Sequence, residues 1–244
     1  MRVVLHFLVC VGIAASFLGT AVCTAELFTP ETSVVTSLLL PGPEGGSNGI
    51  SVLPYTIPGT DLQIQSVTAY EGPYLEDGTY EEVSDVAALV VANTSEYPLQ
   101  TVEISLYTLR RTLEFSGSWI PARSRCVLLE KNRSAYQKEQ YIGCDGEQFI
   151  CEEEERLSEL RVEETEDTIR LTNDKEEPLP PVLLRYKTYL PEEDLYMGGV
   201  TNEVLFPGLL PGEQCSLSPY RYVKDYSKII SAEVNKYVDT VDID

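Results

Sequence analysis

His6 is the only histidine in this 244-residue chain, and it lies in the opening segment MRVVLHFLVCVGIAASFLGTAVCTA. One Arg at position 2, a long apolar run and small residues up to Ala25 give residues 1–25 the form of an export signal. An apolar run of about 20 residues is also long enough to stay in a bilayer as an anchor, so cleavage after Ala25 and a retained anchor both stay open. Once residues 1–25 leave the exported body, no imidazole remains. Ser-His and Cys-His nucleophile pairs, histidine general bases and imidazole metal ligands are then excluded together.

Four cysteines follow the signal: Cys126, Cys144, Cys151 and Cys215. An exported chain meets an oxidising environment, and an even number of thiols permits disulfides with three connectivities. Cys144 and Cys151 enclose DGEQFI, where Asp145-Gly146 is a turn signal, so a local bridge between them is the leading pairing. The spacings contain no CxxC pair and do not suit a thiolate zinc site. Cys126 and Cys215 read as buried free thiols.

Carboxylates are abundant: 39 Asp and Glu against 18 Lys and Arg give a formal charge of −21, which repels a phosphate backbone. Nucleic acid is therefore excluded as a partner. Paired acids can hydrolyse glycosides without histidine, yet nothing in the spacing singles out a pair. The C-terminal DTVDID offers Asp239, Asp242 and Asp244 to a hard cation but lacks the glycine and distal Glu of a calcium loop. The Gly pair in MGG (197–199) has neither P-loop nor dinucleotide-binding spacing. No cofactor is expected.

Tyrosine supplies the better lead for recognition, since it combines a large contact area with a hydroxyl at low entropic cost. Two clusters stand out, Tyr70, Tyr74 and Tyr80 in AYEGPYLEDGTYEE and Tyr220, Tyr222 and Tyr226 in SPYRYVKDYSK. They are the candidate binding surface. The competing reading is that aromatic residues on strands serve packing alone. Trp119, just before a proline turn, is expected to plug the end of a core. The sequon at Asn93 falls in a turn whose structural role outweighs glycosylation; a second sequon is Asn132-Arg133-Ser134.

The elements that position these residues are strands. LQIQSV, VAALVVAN, TVEISLYTL and RCVLLEKN are separated by the turn-rich LEDGTYEE and NTSEYPLQ. Val102, Ile104 and Leu106 alternate with Glu103, Ser105 and Tyr107, turning one face to a core and the other to water. Residues 26–60, punctuated by PGPEGGSNG and Pro58-Gly59, form an extended lead-in with edge strands laid on the first domain, or, over 26–49, a flexible spacer.

The phrase ANTSEYPLQTV (92–102) returns as TNDKEEPLPPV (172–182): Asn93, Pro98, Leu99 and Val102 match Asn173, Pro178, Leu179 and Val182, each 80 positions on. The element is strand, turn, strand, with Asn leaving the first strand and Leu99 or Leu179 opening the return strand after the proline. Further on, WIPARSRC (119–126) resembles LLPGEQC (209–215); with Pro121 and Pro211 aligned, the second copy is ten residues longer around DLYMGGVTNEV. Such an insertion suits a loop or an edge hairpin. The chain reads as a tandem duplication joined by the acidic EEEERLSELRVEETED (152–167).

The pattern NTS…PL..V.ISLYT followed by a proline-led turn resembles the FxLYD-type domain, an immunoglobulin-like β-sandwich of bacterial exported proteins. Leu106-Tyr107 matches the motif, Thr108 stands where the family has Asp, and LLRYKTY (183–189) is the looser counterpart in the second copy. The resemblance implies a fold and an extracytoplasmic setting, and no activity.

The expectation is an all-β protein with two tandem immunoglobulin-like antiparallel sandwiches, at 61–151 and 166–244, joined by a connector at 152–165. It is expected to be a non-catalytic, extracytoplasmic interaction or spacer module of a bacterial cell envelope, secreted or held by its N-terminal segment. Its partner would be a protein or an envelope glycan, and it would touch membrane only through residues 1–25. The alternatives are a carbohydrate-binding module using exposed Tyr side chains and a histidine-free hydrolase.

Overall fold

The computed structural model describes residues 50, 52–150 and 157–234. The signal or anchor at 1–25, most of the lead-in, Cys151, the run Glu152–Glu155 and the tail acids Asp239, Asp242 and Asp244 lie outside them. The described chain is all-β. In order, the strands are β1 (Tyr55–Thr56), β2 (Leu62–Pro73), β3 (Glu82–Asn93), β4 (Leu99–Thr108), β5 (Thr112–Ile120), β6 (Arg125–Leu129) and β7 (Tyr141–Ile150). After a short 3-10 turn, Leu157–Glu159, come β8 (Arg161–Glu164), β9 (Ile169–Thr172), β10 (Val182–Leu190), β11 (Leu195–Phe206), β12 (Gln214–Leu217) and β13 (Ser227–Val234).

The alternation in β4 works as its sequence requires: Val102, Ile104 and Leu106 are buried while Glu103 faces water. They point into a core shared by two sheets. Leu62, Leu89 and Leu128 enter it from β2, β3 and β6, and Val102, Phe115 and Cys144 from β4, β5 and β7. A second core of the same construction joins Ile169 and Leu171 of β9 to Leu184, Phe206 and Ala232 of β10, β11 and β13.

Strand pairing repeats between the halves. The first half pairs in the orders β2-β3-β6 and β5-β4-β7; the second pairs as β8-β9-β12 and β11-β10-β13. Each order names the same successive strands of its half. The halves also share a sheet, because β6 and β11 lie side by side and give the seven-stranded order β1-β2-β3-β6-β11-β10-β13. That contact is parallel, through Tyr196 against Cys126 and Met197 against Val127, whereas every other neighbouring pair is antiparallel.

The repeated Asn corners have matching hydrogen bonds. Asn93 Nδ2 donates to the carbonyls of Tyr97 (2.8 Å), Ile120 (3.3 Å) and Pro121 (3.0 Å), and its Oδ1 accepts from the Ser95 amide at 3.0 Å. Asn173 Nδ2 donates to Glu177 (2.9 Å) and Leu209 (3.0 Å), and its Oδ1 accepts from the Lys175 amide at 3.1 Å. The Asn93 and Asn173 amides donate to Ser124 O and Glu213 O. These partners, with the left-handed backbone shared by Arg123 (φ 51°) and Gly212 (φ 77°), align Ile120 with Leu209 and Cys126 with Cys215. Pro121 and Pro211 therefore do not hold matching places, and the second segment is longer by nine residues rather than ten.

Leu99 opens β4 as expected, but Leu179 makes only an isolated bridge to Leu209, and β10 starts at Val182. Pro180 and Pro181 intervene, and neither has an N–H to donate to a ladder. Truncating either corner removes the donor from two buried carbonyls, Ile120 O and Leu209 O, and from part-buried ones beside them. Asn93→Ala is expected to lower unfolding free energy by about 3 kcal/mol and Asn173→Ala by about 2 kcal/mol, the difference following the number of bonds lost. Urea titrations of both variants check the size and the order.

The insertion around DLYMGGVTNEV is neither a surface loop nor an edge hairpin. Most of it lies in β11, between β6 and β10, where the ladder to β10 is interrupted between Tyr186 and Thr188 by a bulge. Leu195 and Met197 extend the far face of β3 and β6 and cluster there with Val86, Ala88, Val90 and Val127 under Tyr74 and Leu75. The sheet is thus buried on both faces there, which is why VAALVV is apolar without interruption.

Candidate functional site

Three of the six candidate tyrosines are interior. Tyr70, Tyr74 and Tyr222 are buried, and their hydroxyls are engaged by Pro73 O (2.9 Å), by Glu130 O (2.9 Å) and Lys131 O (3.0 Å), and by the Glu164 carboxylate, respectively. Tyr222 also meets Tyr186 edge-on at 5.4 Å. Tyr80 is half-buried and holds the Arg221 guanidinium 3.5 Å from its ring centroid, with Tyr220 on the same cation at 5.1 Å. Tyr220 and Tyr226 are exposed. The six do not form one binding face: aromatic bulk on and beside strands goes mainly to packing.

The thiols also differ from expectation. Asp145-Gly146 is not a turn; β7 runs straight through it, pairing with β4 from Tyr141 to Ile150. At about 3.3 Å per residue this carries the chain about 20 Å from Cys144 by Ile150. Cys144 is a buried free thiol pushed up to about 12 by burial, and Cys151 lies outside the described residues. Cys126 and Cys215 are free as expected, Cys126 buried and Cys215 half-buried.

The densest polar chemistry sits where the halves meet. Gly199, in the bulge of β11, passes so close to β5 that a Cβ on it would stand 2.0 Å from Ser116 O. Beside this crossing the fully buried Lys187 Nζ donates to Ser118 O (3.1 Å), Gly199 O (3.1 Å), Val200 O (2.8 Å) and Thr201 Oγ1 (3.2 Å). Glu76, from the loop after β2, accepts from the amides of Leu129 (2.8 Å) and Gly199 (2.9 Å). The Cys126 thiol donates to Gly198 O at 3.3 Å. One glycine residue is thus held by an acid at its N–H and an ammonium at its carbonyl.

Trp119 belongs to the same junction rather than to a core end. Half-buried, it lies under the Arg185 guanidinium, 3.8 Å from its ring centroid, and Arg185 bridges Glu203 (2.9 Å) and Glu233 (2.7 Å). Sequence reasoning passed over Lys187, Glu76 and Arg185. The signal available was a Lys and an Arg at alternate positions in the apolar strand LLRYKTY, where a cation needs a partner.

Burial, the largest cause, pushes Glu76 above the usual carboxylate range against the opposing pull of its amide donors, and burial drives Lys187 below the usual lysine range. For Glu76 the folded state holds its proton more tightly than the unfolded one. Its contribution is therefore full below 4.5 and lost as pH rises through the folded value. Glu76→Gln should remove that loss, so the stability of wild type relative to the variant should fall as pH climbs from 4.5, read from urea midpoints across the range.

These groups spend their hydrogen bonds on backbone and side-chain partners inside the junction. Among the described residues no three His, Cys, Asp or Glu side chains are grouped to hold a metal. No protein-family model and no curated protein matches the chain.

Proposed function

We propose that the chain is a non-catalytic, extracytoplasmic interaction or spacer module of a bacterial cell envelope, built from two immunoglobulin-like sandwiches in tandem. The observation that carries this reading is the commitment of the junction chemistry: Lys187 on Ser118 O, Glu76 on the Gly199 amide and Arg185 on the Trp119 ring fix one half against the other. A spacer needs its two ends held at a constant distance, and a buried polar lock over a shared sheet supplies that. The matching Asn93 and Asn173 corners support the tandem reading, and the resemblance around Leu106-Tyr107 supports the envelope setting.

Fractionation of the producing cells, with mass spectrometry of the N-terminus, tests the setting. The expected product is extracytoplasmic, either beginning after Ala25 or membrane-held with residues 1–25 intact. A soluble cytoplasmic protein that retains residues 1–25 would overturn the proposal.

A further inference from the structure

The 80-residue offset of the repeat identifies matching places on the edges of the two halves. Val91 and Thr108 pair with Ile64 of β2 and Tyr141 of β7; their counterparts, Leu171 and Thr188, pair with Val162 of β8 and Ser227 of β13. In the first half the lead-in reaches both edges. Tyr55 pairs with Ile64, the Ile50 amide donates to Tyr141 O at 3.1 Å, and Ile50, Leu53 and Tyr55 pack on the core. In the second half, Val162 and Ser227 line a groove of about 710 Å³. Leu157, Leu160 and Ile229 also line it and remain only half-buried, and Lys224 and Lys228 stand exposed on it beside Asp225. Glu164, the other acid there, is engaged by the Tyr222 hydroxyl.

We infer that this groove docks an extended strand of a partner protein, one that turns aliphatic side chains to the groove floor and acids to Lys224 and Lys228. The inference rests on reading the chain as an interaction module. The first half displays the kind of occupant such a gap takes, since ISVLPYT (50–56) brings aliphatic and aromatic side chains to it. The chain that leads into β8, CEEEER (151–156), has no aliphatic side chain to offer in the same place. β8 and β13 each end their sheet, so among the described strands both keep one edge unpaired for a visiting backbone. Backbone bonding to such an edge gives affinity, and alternate side chains give specificity. The lysines select the sign of charge on the outward face of the visitor.

Fluorescence anisotropy of three labelled strand-forming peptides, VDIDVDI, VSISVSI and VKIKVKI, on the full chain tests the assignment. The acidic peptide should bind about tenfold or more tighter than the lysine peptide, and Lys224→Glu/Lys228→Glu should reverse that order. Val162→Asp should weaken all three about tenfold or more, and a single cooperative urea transition shows that this variant folds. No binding of any peptide overturns the inference, as does an order indifferent to the lysine changes. Binding that appears only after Val241→Asp/Ile243→Asp shows the chain's own tail in the groove and overturns the partner assignment. A protein that is exported and binds no peptide loses the docking site and keeps its envelope setting, so the two failures are told apart.

Discussion

Gly199→Ala is expected to cost about 3 kcal/mol, at the upper end of what an added methyl does in a packed interior. The added Cβ would stand 2.0 Å from the Ser116 carbonyl oxygen, with backbone on both sides. Neither can give way as a flexible side chain would. Relief requires β5 to leave β11, which also pulls Ser118 from the Gly199 carbonyl, now 3.0 Å away, and loosens the Trp119 stack on Arg185. A red shift of Trp119 emission should therefore accompany the lost stability. Gly212→Ala is the control. It puts a methyl into open space at φ +77° and should cost only about 1 kcal/mol through backbone strain. A Gly199→Ala protein as stable as Gly212→Ala, with unshifted emission, would mean that the crossing is not close.

Lys187→Met comes next and should destabilise by about 3–5 kcal/mol, the usual result of removing one member of a buried charged group. Met fills much of the volume but donates nothing. Ser118 O and Val200 O then lose an ammonium donor inside the protein, and Glu76 loses the opposite charge that offsets part of its burial. Adding Glu76→Gln should cost less than the two single changes sum to, because the side chains act through the same residue, Gly199. Additive losses in urea titrations of the four proteins would show that they work separately.

The strands were legible where one face is wet. TVEISLYTL declares its alternation and becomes β4, and the paired Asn-to-Pro turns mark equivalent corners with equivalent bonds. Legibility failed where local signals met a tertiary context that the sequence does not display. Asp145-Gly146 has turn chemistry, yet pairing of β7 with β4 along ten residues holds it extended. Pro121 and Pro211 look equivalent as letters, while the backbone aligns residues one place apart, because hydrogen bonds fix a corner and the side chain within it can vary.

The tyrosines could not be sorted into buried and exposed from spacing alone. Tyr222 and Tyr226 share one short segment and differ in environment. The junction was hidden for a different reason. Its residues are scattered over Glu76, Trp119, Lys187 and Gly199, and the insertion that carries Gly199 resembles an ordinary loop. Only the parallel contact of β6 with β11 brings them together. The uninterrupted apolar run of β3 was the available hint that this sheet is covered on both sides.

The central claim is that the two halves, joined through β6 and β11 in one seven-stranded sheet, behave as one body. Urea unfolding followed at once by the fluorescence of Trp119, the single tryptophan, and by far-ultraviolet circular dichroism of all strands tests it most directly. A shared sheet predicts one transition, with the two signals superimposing along its whole length. Trp119 changing at low urea while most of the strand signal persists would show a junction that opens by itself, and the claim would be contradicted.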